Sequence, residues 1–216
     1  KEFFKFYKLS LPENIALNSI VFLNFILLIS FFNLDLYMII SSYFLYLFSL
    51  IAIYIYRFKS LYISSKDNFF YFILLFITST IIFLEVSNNL VIGWDAQKFW
   101  IYKTLNFYNG NTITNLSSLE NPWYPYLGSL SWSFFWKVSF LEHEYSGRLF
   151  YVFFYLSSLL LLINNFKFFN FYKFIFFITL ILISYDHTYQ AHWSMFSGNQ
   201  EILVFSLISI AMHFLY

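Results

Sequence analysis

Cysteine is absent from this sequence, and charge is scarce: 11% of its 216 residues are Asp, Glu, Lys or Arg. The first absence excludes disulfides, thiol catalysis and Cys-ligated zinc, though it fixes no compartment. The second excludes an ordinary soluble surface, which carries roughly 25% charged residues. No Gly-rich loop and no basic run is present, so nothing points to nucleotide phosphates or nucleic acid. The net charge of +1 says nothing about partners. What fills the chain is apolar: 60% hydrophobic, 27% aromatic, with a mean hydropathy of +0.66. The composition predicts an all-α fold, a polytopic helical membrane protein.

Six apolar segments predict about six transmembrane helices, near residues 15–32, 36–56, 69–84, 149–163, 168–185 and 202–216. None alternates as barrel strands do. With the N-terminus in the cytoplasm, Lys1, Lys5, Lys8, Arg57, Lys59, Lys66, Lys167 and Lys173 lie inside. Lys98, Lys103, Lys137 and Arg148 lie outside, so eight cations face four, as the positive-inside rule asks. The long segment 85–148 is then an external loop. It holds all six tryptophans but Trp193, and Trp and Tyr favour the headgroup layer. Two interfacial helices are expected in it, over about 95–108 and 126–140, joined by the turn-rich "NGNTITNLSSLENPWYP". Apolar residues surround the first of them, which suits a helix wedged between lipid and protein. The chain begins at Lys1 and stops at Tyr216 inside an apolar run, which reads as a fragment truncated at least at its C-terminus.

The chemistry-bearing residues concentrate outside. Asp95 stands between Trp94 and a row of aromatics in "VIGWDAQKFW". A carboxylate beside hydrocarbon is costly and needs a partner or a task. Its structural alternative is a helix cap. Arg148, in "EHEYSGRLF", either grips an anion or has a structural role, pairing with Glu142 or Glu144 or snorkelling to the interface. Glu201 heads the last apolar segment, where an acid also complements a helix N-terminus. His187, His192 and Asp186 share "YDHTYQAHWSMFSGNQE" with Glu201. The two histidines are five apart, not the i, i+4 pair of a helical zinc site, so no metal ligand set is assigned. "NLS" at Asn115 fits a glycosylation sequon, a weak pattern.

The order of these features resembles the N-terminal module of the GT-C membrane glycosyltransferases. Protein O-mannosyltransferases and bacterial lipid A aminoarabinose transferases are the relatives it suggests. The resemblance covers about residues 69–216, truncated at the C-terminus, with residues 1–68 as two added transmembrane helices. "GWDAQKFW" matches the family's acidic residue in the first external loop, and Ala96 stands where a second acid is often found. "NPWYP" matches the Pro-rich entry to the second surface helix. "EYSGRL" is similar to the acidic–small–Arg stretch before the next span. "SGNQEILVF" is similar to a Gly–Tyr–Ala–Asp–Leu pattern, with Glu201 in place of Asp and no Tyr.

The resemblance implies a polyprenyl-phosphate sugar donor, a lipid, glycan or protein acceptor, and a reaction at the outer face of a bacterial inner membrane. Asp95 becomes the candidate catalytic base. Arg148, Glu201, His187, His192, Trp94 and Tyr124 become candidates for substrate contact. No cofactor is required, and a divalent cation, used by some relatives, is the optional one. Two other classes stay open: a transporter or flippase subunit, and a non-catalytic membrane interaction protein. A transporter should place charges or broken helices in mid-span. Here the mid-span polar residues are Asn18, Asn24, Ser and Thr, and the acids cluster outside.

Overall fold

The computed structural model describes residues 9–58, 66–88, 90, 92–139, 143–167, 169–189, 198 and 200–215. Among them all regular structure is helical, as the composition predicts. The elements are α1 (Leu11–Ser30), α2 (Leu36–Phe58), α3 (Lys66–Asn88), a π-helical turn (Ala96–Trp100) continuing as α4 (Ile101–Tyr108), a 3-10 helix (Ile113–Ser118), α5 (Leu127–Val138), α6 (Glu144–Gly147), α7 (Leu149–Asn164), α8 (Asn170–Tyr189) and α9 (Glu201–Leu215). Four stretches are long and apolar enough to cross a membrane: Leu11–Ser30, Leu36–Ile53, Phe69–Asn88 and Glu144–Asn164. Among the described residues, the apolar stretches of the last two helices are Asn170–Ile183, within the 20-residue α8, and Glu201–Leu215.

Local chemistry sets the helix ends. Ser10 caps α1 through a capping box: the Glu13 N–H donates to Ser10 Oγ at 3.5 Å, and the Ser10 N–H donates to Glu13 Oε2 at 2.7 Å. Asp35 starts α2 by accepting the Met38 N–H at 2.9 Å. Between them Asn33 takes the left-handed conformation, φ 56°, that lets α1 stop and the chain reverse.

Contacts far apart in sequence give the bundle two distinct ends. At one, Asn164 donates to Ser10 Oγ at 3.2 Å, His213 Nε2 lies 3.4 Å from Glu13 Oε1, and Lys173 Nζ donates to the Tyr71 hydroxyl at 2.8 Å. At the other, the Ser30 and Tyr126 hydroxyls meet at 3.0 Å, and Thr114 Oγ1 donates to Asn33 Oδ1 at 3.1 Å. The Tyr151 hydroxyl donates to the Gly128 carbonyl at 3.1 Å, and Gln200 Nε2 donates to Tyr151 at 2.7 Å. The helices therefore alternate in direction, and the described residues of the 85–148 segment gather at the second end.

α7 forms the axis of the bundle, packed by α1, α3, α5, α8 and α9. α1, read from sequence as an addition, lies directly against it. α5 differs from an interfacial helix: its residues 128–134 are all buried. Phe134 meets Phe22 of α1 at 5.0 Å and Tyr43 of α2 at 5.6 Å between ring centroids. Small residues permit this insertion. Ser129 Oγ donates to the Trp100 carbonyl at 3.1 Å, Ser133 Oγ to that of Thr104 at 2.7 Å, and Lys137 Nζ to that of Tyr108 at 3.5 Å. The three donors are four residues apart, and so are the three acceptors, so α4 and α5 run parallel as a ladder. The sequon Asn115 serves the 3-10 turn: its Oδ1 accepts the Thr112 N–H at 3.0 Å.

Candidate active site

Asp95 lies at the head of the π-turn, half-buried. It does not cap it. Its backbone is already helical (φ −62°, ψ −38°) and its side chain makes no capping hydrogen bond. The Ile101 N–H reaches back to the Ala96 carbonyl, the i→i+5 closure of a π-turn. This widening of the helix falls one residue after Asp95, and such bulges recur at functional sites. Among the described residues no donor or cation is bound to the Asp95 carboxylate, so it caps no N–H, although its place in the first turn still complements the helix dipole.

An aromatic wall extends from this point. Trp94 is 58% exposed. Phe99 meets its ring edge-on at 6.0 Å and meets Tyr124 at 5.1 Å, and Trp100 lies 5.7 Å from Tyr124. The two aromatic candidates, Trp94 and Tyr124, are thus joined through Phe99. Two ammonium groups sit on this wall. Lys98 Nζ stands 4.9 Å over the Trp94 ring. Lys103 is 0% exposed, its Nζ donating to the Tyr124 carbonyl at 2.6 Å and lying 5.7 Å from the Trp100 ring and 5.8 Å from that of Tyr124. Burial lowers its pKa from the usual lysine value, since it strips water from the charged ammonium.

Arg148 sits apart from this wall, 1% exposed and ion-paired to Glu144: Nε lies 3.1 Å from Oε1, and Nη2 donates to Oε2 at 3.1 Å. Of the two readings open for it, the structure contains the pairing with Glu144. The pair lies beside Trp132, whose Nε1 donates to the Glu144 carbonyl at 3.3 Å. Trp132 is enclosed by glycines. A Cβ on Gly147 would lie 2.4 Å from both its carbonyl oxygen and its ring, and one on Gly198 would lie 2.3 Å from the ring's far edge. Gly198 also takes φ +92°, so two separate reasons demand glycine there. Its other neighbour is Ala96, the residue after Asp95: the added Cβ would come within 3.2 Å of Ala96 Cβ. Trp132 and Gly198 therefore link the Asp95 helix to the Arg148 pair.

Glu201 heads α9 with its side chain exposed, while its neighbour Gln200 turns inward to Tyr151. The side chains of Asp186 and His187, and all of His192, lie outside the described residues. Among those described, no three His, Asp or Glu side chains converge as a metal set needs. Two sizeable cavities are present elsewhere. One of about 470 Å³ lies among α1, α2, α5 and α7. One of about 500 Å³ lies between α7 and α9. Neither is lined by Asp95, Arg148 or Glu201.

Sequence reasoning missed Lys103, Trp132, Tyr151 and Gln200. The alternation "GSLSWS" before Trp132 carried the one usable signal, since small residues at close spacing mark a tight helix contact. No protein family, curated protein or solved structure matches this chain.

Proposed function

We propose that this chain belongs to a membrane glycosyltransferase. It moves a sugar from a polyprenyl-phosphate donor to a lipid, glycan or protein acceptor at the outer face of a bacterial inner membrane, with the N-terminus cytoplasmic. Asp95 acts as the base. It takes the acceptor hydroxyl proton as the new bond forms at the anomeric carbon. The bond from that carbon to the phosphate oxygen breaks, and polyprenyl phosphate leaves.

The observation that carries the reading is the Asp95 carboxylate. It is half-buried, uncommitted to capping, and placed at a π-turn beside an exposed Trp. A base needs a free lone pair within reach of its substrate, and aromatic faces suit a sugar's apolar side. The departing phosphate needs a cation. Arg148 is held by Glu144 and would have to share its donors.

The test is transfer of labelled sugar in membranes carrying full-length protein. Asp95→Asn should abolish turnover, a loss of at least 10²-fold for a general base, while thermal unfolding is unchanged. Turnover within a few fold of wild type would remove Asp95 from the mechanism. Lys98→Cys, as the sole cysteine of the protein under test, also reports sidedness through an impermeant maleimide. Labelling only from the cytoplasmic side would overturn the proposed orientation.

A further inference from the structure

α1 carries a face that the rest of the fold leaves uncovered. Asn14, Leu17, Val21, Asn24 and Leu28 follow one another at spacings of three and four, the stripe of a coiled-coil seam. Asn14 and Asn24 are exposed, Leu17 is 40% exposed, Leu28 is 62% exposed, and Val21 between them is half-buried. The opposite face of α1, with Ala16, Ser19, Leu23 and Ile26, is buried. An apolar face alone would be satisfied by lipid. This one holds amides. Asn24 lies six residues from the helix end at Ser30, about 9 Å into the apolar layer at 1.5 Å per residue.

The asparagines are only half satisfied. Asn24 Nδ2 donates to the Ile20 carbonyl of its own helix at 2.9 Å. Asn14 Nδ2 donates to the carbonyls of Leu9 and Ser10, both at 3.1 Å. Among the described residues nothing donates to either Oδ1. Asn24 also keeps a second N–H, because a primary amide has two. Acyl chains supply no hydrogen-bond partner, so both groups cost energy while lipid covers them.

We propose that α1 is the contact between two copies of this chain, paired in parallel along Asn14, Leu17, Val21, Asn24 and Leu28. A two-fold axis along the membrane normal sets each residue against its own copy. The spare N–H of one Asn24 then meets the Oδ1 of the other, and the reverse, satisfying both at once. Polar residues in an otherwise apolar seam, here Asn14 and Asn24, also fix its register. This pairing stands independently of the transferase reading.

The test is cysteine cross-linking, with each introduced thiol the sole cysteine of the protein. Val21→Cys and Leu28→Cys are expected to form disulfide-linked dimers in native membranes under mild oxidation. Ile81→Cys, at a 60% exposed position on α3, is expected not to. Asn24→Leu in the Val21→Cys background should lower the cross-linked fraction roughly tenfold at limiting expression, and Asn24→Gln should restore most of it. Cross-linking at Val21 no greater than at Ile81 overturns the proposal. So does capture of a different protein at Val21, or indifference to Asn24→Leu. A folding defect is separated by thermal unfolding of the same variants, and sugar transfer is not the readout.

Discussion

The stretch Glu144–Asn164, most of it α7, and the stretch Leu36–Ile53 of α2 are both membrane-length and apolar, yet 83% of the apolar core of the first is buried and 11% of that of the second. Composition does not separate them. Their neighbours do. α7 packs against α1, α3, α5, α6, α8 and α9 and turns Ser157 and Ser158 toward its own carbonyls, leaving small, neutral surfaces for close packing. α2 presents Tyr37, Met38, Phe44, Leu45, Phe48 and Ile51 outward. In lipid the hydrophobic effect no longer ranks helices by greasiness, since acyl chains are as apolar as leucine. Fit and hydrogen bonding decide which helix becomes the axis.

The largest effect should come where that fit is tightest. Gly147 has no room for a methyl group, because the Trp132 carbonyl would lie 2.4 Å from it and is itself fixed in α5. Gly147→Val is expected to abolish the folded state, read as loss of a cooperative unfolding transition in detergent. Ser49→Val on α2, where the hydroxyl only bonds its own helix, should leave the transition within about 0.5 kcal/mol. Similar effects from both would mean that the contact of α5 with α6, at the head of α7, is not tighter than the packing of α2.

Next in size is the ion pair at the head of α7. Arg148→Met leaves Glu144 beside Trp132 without its cation, and should cost about 3–5 kcal/mol. Adding Glu144→Gln should recover much of that loss, since an uncompensated charge is worse than none. If the double variant is as unstable as the single one, Arg148 acts through something other than this pair. The same contrast can be drawn with one residue type. Leu156 is 0% exposed and Leu45 is 70% exposed. Leu156→Ala should cost about 2–5 kcal/mol. Leu45→Ala should be nearly neutral.

This contrast also marks what the sequence could carry. The apolar segments and the aromatic external loop were legible, because 18-residue runs and Trp clusters are local facts. Both helices of the loop fell within two residues of their expected ends. The partners were not legible. Glu144 as the ligand of Arg148 was one of two alternatives, since i, i+4 spacing suggests a pair but does not exclude Glu142. Lys103 was taken only as an outside cation. Nothing in "WIYKTLNFY" says that its ammonium would be sealed under the Tyr124 carbonyl, which arrives from 21 residues away. The insertion of α5 under α1 was also hidden: its serines bond to another helix, and a serine reads the same whether it serves its own helix or a neighbour's. Asp95 was visible as an isolated carboxylate, but the π-turn after it was not, because an i→i+5 closure has no sequence signature.

The smallest expected effect tests how the loop's wall differs from the lipid-facing helices. Lys103 is a buried cation whose burial lowers its pKa, so the folded state releases its proton more readily than the unfolded chain. Below the lowered value both states are charged, and the desolvation cost is present in full. As pH rises through that value toward the ordinary lysine range near 10.4, the folded state binds fewer protons than the unfolded one, and stability rises. Lys103→Met keeps the length of the side chain and removes the charge. It should gain about 0.5–1.5 kcal/mol at neutral pH, and that gain should shrink as pH climbs toward 10. The same substitution at Lys98, exposed above Trp94, should leave stability within about 0.5 kcal/mol at neutral pH. If Lys103→Met instead destabilises the protein by more than about 1 kcal/mol at every pH, the carbonyl and the two ring faces more than repay the burial. Lys103 would then be a structural clamp on the Tyr124 turn, and the wall beside Asp95 would be held in the same way as the α4–α5 ladder.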